Sequence, residues 1–278
     1  MTSLLRVKNL SVTFDTPRGP VEAVRDVSFD LGHERLGIVG ESGSGKSQTG
    51  RAILKLIAGN GRVEAGCIEF DGMDILGASE RDMRLIRGAR ISMIMQDPRY
   101  SLNPVVKVGD QIAEAYRIHS RASAKEAHKK ALEMLETVQI RDHEKVYSLY
   151  PHEVSGGMGQ RIMIAMMLIP DPDIIIADEP TSALDVTVQM QVLGLLDDMV
   201  TKRGMGLILI SHDLGLVSSF CDRVVVMYGG RVMEVLEAKK LHEAQHPYTK
   251  GLMNCAPRLK DRQTVLPILQ RDPSWLTD

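Results

Sequence analysis

The segment Gly40-Glu41-Ser42-Gly43-Ser44-Gly45-Lys46-Ser47 constrains the chain more than any other. Its glycines let the backbone curl tightly, and successive N–H groups of such a curl point toward one centre. It follows an apolar run, Leu36–Val39, that reads as a strand, and it precedes a helical pattern, Ser47–Ile57. Strand, glycine-rich turn and helix N-terminus in that order make an anion site, because the positive helix end adds to the amides. The pattern fits a nucleotide phosphate loop in full. Gly40, Ser42, Gly43 and Gly45 are expected to cradle the phosphates of a nucleotide. Lys46 is expected to reach the β- and γ-phosphates, and Ser47 to offer its hydroxyl to Mg2+.

A phosphate loop needs a second half to manage metal and water. Ile174-Ile175-Ile176-Ala177-Asp178-Glu179 supplies it, an apolar strand ending in two carboxylates. Asp178 is expected to hold Mg2+ and Glu179 to polarise the attacking water as general base. The pair of motifs describes a nucleotide hydrolase.

The remaining pattern supplies a scaffold. Short strands are expected at Leu36–Val39, Ile91–Met95, Ile174–Asp178, Leu207–Ser211 and Arg223–Met227, alternating with longer helical patterns. That alternation specifies an α/β fold with a parallel sheet flanked by helices. Ligands in such sheets bind beyond the carboxyl ends of the strands, where both motifs lie. Val108–Ile140 reads as helix; its part Ala122–Glu136 is rich in Ala, Lys, Glu and Leu. With the turn at Tyr150-Pro151 it suggests a helical insert from about Asn103 to Met158. The stretch after Pro257, with Pro267 and Pro273, shows little periodicity and reads as a short extension.

Charge and composition exclude several classes. With 34 basic against 36 acidic residues, the chain lacks the basic excess of a general nucleic-acid binder. The apolar stretches Ile162–Ile169 and Ile174–Ala177 are far shorter than the roughly 20 residues a membrane helix needs. Arg6 and Lys8 interrupt the N-terminal apolar residues, unlike a signal peptide. Cys67, Cys221 and Cys255 are widely spaced and suit a reducing compartment. A cytosolic chain is expected, reaching a membrane only through a partner.

Ser155-Gly156-Gly157-Met158-Gly159-Gln160-Arg161, just before the Asp178 strand, narrows the hydrolase. It resembles the signature motif of ATP-binding-cassette ATPases, and the other motifs of that family follow in order from about Leu4 to Leu259. The resemblance implies a P-loop nucleotidase core with an N-terminal antiparallel β subdomain. It implies that Phe14 stacks on adenine and that Gln96 contacts the metal and couples the site to a membrane partner. It implies that Ser182-Ala183-Leu184-Asp185 crosses a dimer interface and that His212 is the switch histidine. His212 follows the strand Leu207–Ser211, from which it could hydrogen-bond the γ-phosphate and orient Glu179. A second Gly-Gly helix N-terminus is another anion site. Since the chain's own nucleotide occupies the phosphate loop, Ser155, Gly156 and Gly157 should serve another molecule's γ-phosphate. That predicts a head-to-tail pair with two ATPs between subunits. Val154 and Gly159 depart from the family pattern, where Leu and Arg are usual.

Gln96-Asp97-Pro98, Ser101-Leu102-Asn103-Pro104 and His246-Pro247-Tyr248-Thr249-Lys250-Gly251-Leu252 look like the oligopeptide, dipeptide and nickel importer branch. Some branch members bind an iron–sulfur centre through C-terminal cysteines; only Cys255 lies there, so no cluster is expected. The branch implies two permeases, a second cassette ATPase (a related chain or a second copy of this one), a binding protein acting through the permeases, and a peripheral position at the cytoplasmic face of the inner membrane. Tyr100, Val105 and Val106 are candidates for the permease groove. The expected layout is an ATPase domain at 1–259, with its insert at 103–158, and an extension at 260–278. The rival readings are weaker. Repair members of the family carry long coiled coils, translation members two tandem cassettes, and exporters often a fused membrane domain. The intact set Lys46, Asp178, Glu179 and His212 argues against a decayed module.

Overall fold

Alternation of apolar and polar residues over Leu5–Val12 makes the first strand, β1 (Leu5–Thr16), which buries Leu5, Val7, Leu10 and Val12. The computed structural model describes residues 3–97, 101–181, 184–255, 269 and 271–276. β1 pairs antiparallel with β2 (Gly19–Leu31) across the turn closed by Thr16 and Gly19. The alternation skips a beat between Val7 and Leu10, where the register shifts. Asn9 takes a positive φ of 50° there, and its side chain donates to Asp26 at 2.7 Å. The bulge returns Leu10 and Val12 to the buried face.

β3 (Arg35–Val39) leads through the glycine-rich loop into α1 (Lys46–Ile53). The helix stops four residues short of the expected Ile57. Lys55 adopts φ 51° and its ammonium is fixed on the carbonyls of Leu76 (2.7 Å) and Ala78 (2.9 Å). β4 (Gly61–Glu64), β5 (Cys67–Phe70) and β6 (Met73–Asp74) complete an antiparallel sheet in the order β2-β1-β5-β6, with β4 also on β1.

A second compact unit spans Ser79–Leu207. It holds α2 (Glu80–Ile86), β7 (Ile91–Ile94), α3 (Val108–His119), α4 (Ala124–Thr137), α5 (His143–Tyr147), α6 (Gly156–Leu168), β8 (Ile174–Asp178) and α7 (Val186–Arg203). β7 and β8 pair in parallel, and both are buried along their whole length, as strands covered on two faces must be. The single helix expected over Val108–Ile140 is in fact two. Ser123 accepts from the Glu126 N–H at 3.2 Å and caps α4, so the chain turns between α3 and α4.

The chain then returns to the first unit through β9 (Gly206–Ser211), α8 (Leu214–Phe220), β10 (Arg223–Tyr228), β11 (Arg231–Glu237) and α9 (Pro247–Cys255). β10 runs parallel to β3, with Arg223 opposite Leu36 and Val226 opposite Val39, and antiparallel to β11. Of the expected extension, residues 271–276 place Trp275 against Tyr228, Tyr248 and His246, each ring pair 5.8 Å apart. Together these elements form an α/β fold: a parallel β core, an N-terminal antiparallel sheet and a run of helices.

Candidate nucleotide site

Gly40 and Gly45 are the two loop positions where no other residue fits. At Gly40 (φ 156°) an added Cβ would stand 2.1 Å from the Met227 carbonyl oxygen. At Gly45 (φ 95°) it would stand 2.4 Å from that of Ala23. The loop is thus pressed onto backbone on two sides, while Ser42 and Gly43 face solvent. Lys46 is 7% exposed. Its ammonium donates to the Gly40 carbonyl (2.9 Å), the Glu41 carbonyl (2.8 Å) and the Ser44 hydroxyl (3.3 Å). The carbonyl oxygens and the hydroxyl satisfy the buried ammonium and fix its place at the loop. No acidic residue lies in the first turn of α1, which leaves that helix end positive. Ser47 is the second residue of the helix and half-buried. This geometry fits a polyphosphate.

Phe14, on β1, lies with its ring against Gly61: a Cβ there would come within 2.8 Å of the ring. The ring is half-buried and keeps exposed area. His212 is exposed, directly after β9. Asp213 beside it caps α8 by accepting from Leu216 N–H at 3.0 Å.

In the other unit, Asp178 ends β8 at 3% exposure. Glu179 follows with φ 48°, a left-handed conformation that costs a residue with a side chain of this size. Gln96 Nε2 donates to Glu179 Oε2 at 3.0 Å. Two residues separated by a long stretch of sequence are thereby brought together, and one carboxylate oxygen of Glu179 is oriented by an amide. A carboxylate fixed this way can accept a proton from water in one direction.

The signature residues form a helix N-terminus, with α6 beginning at Gly156. The reason is Ser155, whose hydroxyl accepts from Met158 N–H at 3.3 Å as the N-cap. Gly156 has open space where a Cβ would be, and Gly157 only the Leu184 side chain at 3.5 Å. Asp185 caps α7 in the same way, accepting from Val188 N–H at 3.0 Å. Ser182 and Ala183 of the expected interface loop lie outside the described residues, as do Pro98 and Tyr100.

Gln160 of the signature stretch has a task that its motif does not state. Gln160 is 0% exposed and donates to the Pro180 carbonyl at 2.7 Å, so α6 is tied to the turn that carries Glu179. Its other amide atom, Oε1, is buried without a hydrogen-bond partner. A polar residue opening the apolar run Ile162–Leu168 was the available signal.

Fold and site together define a P-loop nucleotide hydrolase. A family model described as ABC transporter matches residues 24–182. The chain belongs to the ABC transporter family, as an ATP-binding and ATP-hydrolysing subunit. Among curated proteins it is similar to the oligopeptide transport ATP-binding protein OppD of Escherichia coli, 47% identical over 99% of this chain and 82% of that protein. The dipeptide transport ATP-binding protein DppD of Bacillus subtilis is 50% identical over 93% of this chain and 78% of its own length. Among solved structures it resembles the ATP-binding cassette MJ0796, a dimer in a post-hydrolysis state bound to ADP and Pi. The TM-score is 0.77 at 25% identity, covering 84% of this chain and 98% of that one.

Proposed function

We propose that this chain energises the uptake of oligopeptides or dipeptides across the cytoplasmic membrane, as one ATPase of a two-site motor. The observation that carries the reading is the likeness to ATP-binding proteins named for peptide transport, 47–50% identical over 92–99% of the chain. The stretch His246–Leu252 adds to it.

Site roles are assigned residue by residue. Gly40, Ser42, Gly43, Gly45 and Lys46 hold the phosphates of ATP, and Phe14 takes the adenine. Ser47, Gln96 and Asp178 are an all-oxygen donor set, which suits Mg2+. When bound, Mg2+ neutralises charge on the phosphates. Glu179 is the general base, oriented by Gln96, and His212 is the switch histidine. Ser155, Gly156, Gly157 and Asp185 serve the ATP of a second cassette subunit.

The ATPase domain is assigned to 1–259, with the helical insert at 103–158 and an extension at 260–278. The permease groove lies near Val105, which is 77% exposed, and half-buried Val106. Among the described residues no helix is long and apolar enough to cross a membrane. In this reading two permeases carry the substrate path, a binding protein presents substrate to them, and this chain sits peripherally on the cytoplasmic face. Nucleic acid has no part in the reading.

Gentle affinity purification from native membranes, with mass spectrometry of what co-purifies, tests the assignment. Two multi-span permeases and a second cassette ATPase are expected. Recovery with ribosomes or repair factors and no membrane protein would overturn the importer and leave only the ATPase.

A further inference from the structure

The N–H and C=O of a trans peptide point in opposite directions within one rigid plane. In the peptide joining Gly40 to Glu41, the N–H donates to the Tyr248 hydroxyl at 3.1 Å. The C=O of the same peptide accepts from the Lys46 ammonium at 2.9 Å. Turning this plane breaks both bonds at once. Gly40 has no side chain to resist the turn, so the restraint must come from outside the loop.

Tyr248 is well placed to supply it. The residue is 0% exposed, and its ring packs 4.7 Å from Tyr228 and 5.8 Å from Trp275. Its backbone is fixed at the start of α9, where Glu234 accepts from the N–H groups of Gln245 (2.7 Å) and His246 (3.3 Å). Burial pushes the Tyr248 phenol up to about 12, so the group remains a hydroxyl throughout the working pH range.

We propose that Tyr248 is a positioning residue for ATP: its hydroxyl fixes the Gly40–Glu41 peptide and thereby the place of Lys46. This rests on the reading of Gly40–Ser47 as the phosphate site. It gives the His246–Leu252 stretch a local physical task beyond marking a branch. Arg271 engages Glu41 as well, donating to its carboxylate at 3.1 and 3.3 Å. Those two side chains are 61% and 30% exposed, so water and salt weaken the pair, and the buried hydroxyl carries the larger share.

Tyr248→Phe removes one oxygen and keeps the ring. The test measures steady-state hydrolysis of ATP with Mg2+, and equilibrium ATP binding, on the full-length chain. The KM and the dissociation constant for ATP are expected to rise about three- to tenfold, the range that one lost hydrogen bond produces. The kcat is expected to stay within about twofold, because the step after binding is untouched. Tyr228→Phe, in the neighbouring ring, is expected to leave KM where it is. An unchanged KM in Tyr248→Phe overturns the inference, and so does an equal rise in Tyr228→Phe. A nucleotide-free Tyr248→Phe chain that melts well below the wild type also overturns it, since the hydroxyl would then serve the fold. Wild-type chain that binds no ATP would instead defeat the phosphate-site reading on which it rests.

Discussion

Glu179 is held in a conformation that its own side chain disfavours, at φ 48°, with Gln96 donating to one of its oxygens. Backbone strain of this kind costs about 1–3 kcal/mol and persists only where the surroundings impose it. Glu179→Gln keeps the shape and an oxygen able to accept from Gln96, but it removes the basic group. Turnover is therefore expected to fall by about 10²- to 10⁴-fold, the range general-base catalysis provides, while ATP stays bound. Hydrolysis assays with a parallel measurement of retained nucleotide check this; near-normal turnover would sink the assignment. Lys46, Asp178 and Glu179 stand out in the sequence because their assignment rests on local spacing. Gln160 and Tyr248 do not, because their importance depends on distant partners, Pro180 and the Gly40–Glu41 peptide. Sequence showed them only as members of the signature stretch and of a branch motif.

Elements were readable in proportion to how strongly tertiary burial and local pattern agree. Ile174–Asp178 is apolar until its last residue and forms a strand with the expected bounds. The stretch Val108–Ile140 is rich in helix formers throughout, and composition hid the break between α3 and α4. The cap that divides them is Ser123, which accepts from the Glu126 N–H. β3 and β10 depend on a side-chain tie that no periodicity reveals. Asp222 accepts from Arg35 through the backbone N–H (2.9 Å), Nε (3.0 Å) and Nη2 (2.8 Å). Partial burial acts to raise the Asp222 carboxyl, but the bonds and charge of Arg35 outweigh it and leave the group below its ordinary value. A depressed carboxylate contributes stability above its unfolded value near pH 4, and that contribution is lost as pH falls through the folded value. Asp222→Asn should thus destabilise the chain at pH 7 by about 1 kcal/mol, a limit set by the exposure of the pair. The difference should be smaller at about pH 3, below the ordinary carboxylate value, than at pH 7. Urea midpoints at the two pH values test this; a gap undiminished in acid would remove the charge from the explanation.

The chain as a whole comprises two compact units, 1–78 with 208–278 and 79–207. Phe14, Lys46, Ser47 and His212 belong to the first, and Gln96, Asp178, Glu179 and Ser155 to the second. A single melting transition is not guaranteed for such a chain, so ligand linkage is a better whole-molecule measure than absolute stability. A ligand that binds only the folded chain stabilises it by about 2.7 kcal/mol at one hundred times its dissociation constant. At roughly 2–4 °C per kcal/mol for chains near this size, ATP with Mg2+ should raise the melting temperature by about 5–10 °C. Lys46→Ala leaves the carbonyls of Gly40 and Glu41 without that donor, so a small drop is expected without nucleotide. Its main effect belongs to the bound state. At the same ATP concentration the rise should almost vanish in Lys46→Ala and persist in Glu179→Gln, because one residue holds phosphate and the other acts on water. Thermal shift across an ATP titration separates the two. A full rise in Lys46→Ala would mean that the phosphates are held elsewhere, and a lost rise in Glu179→Gln would make that carboxylate a binding group.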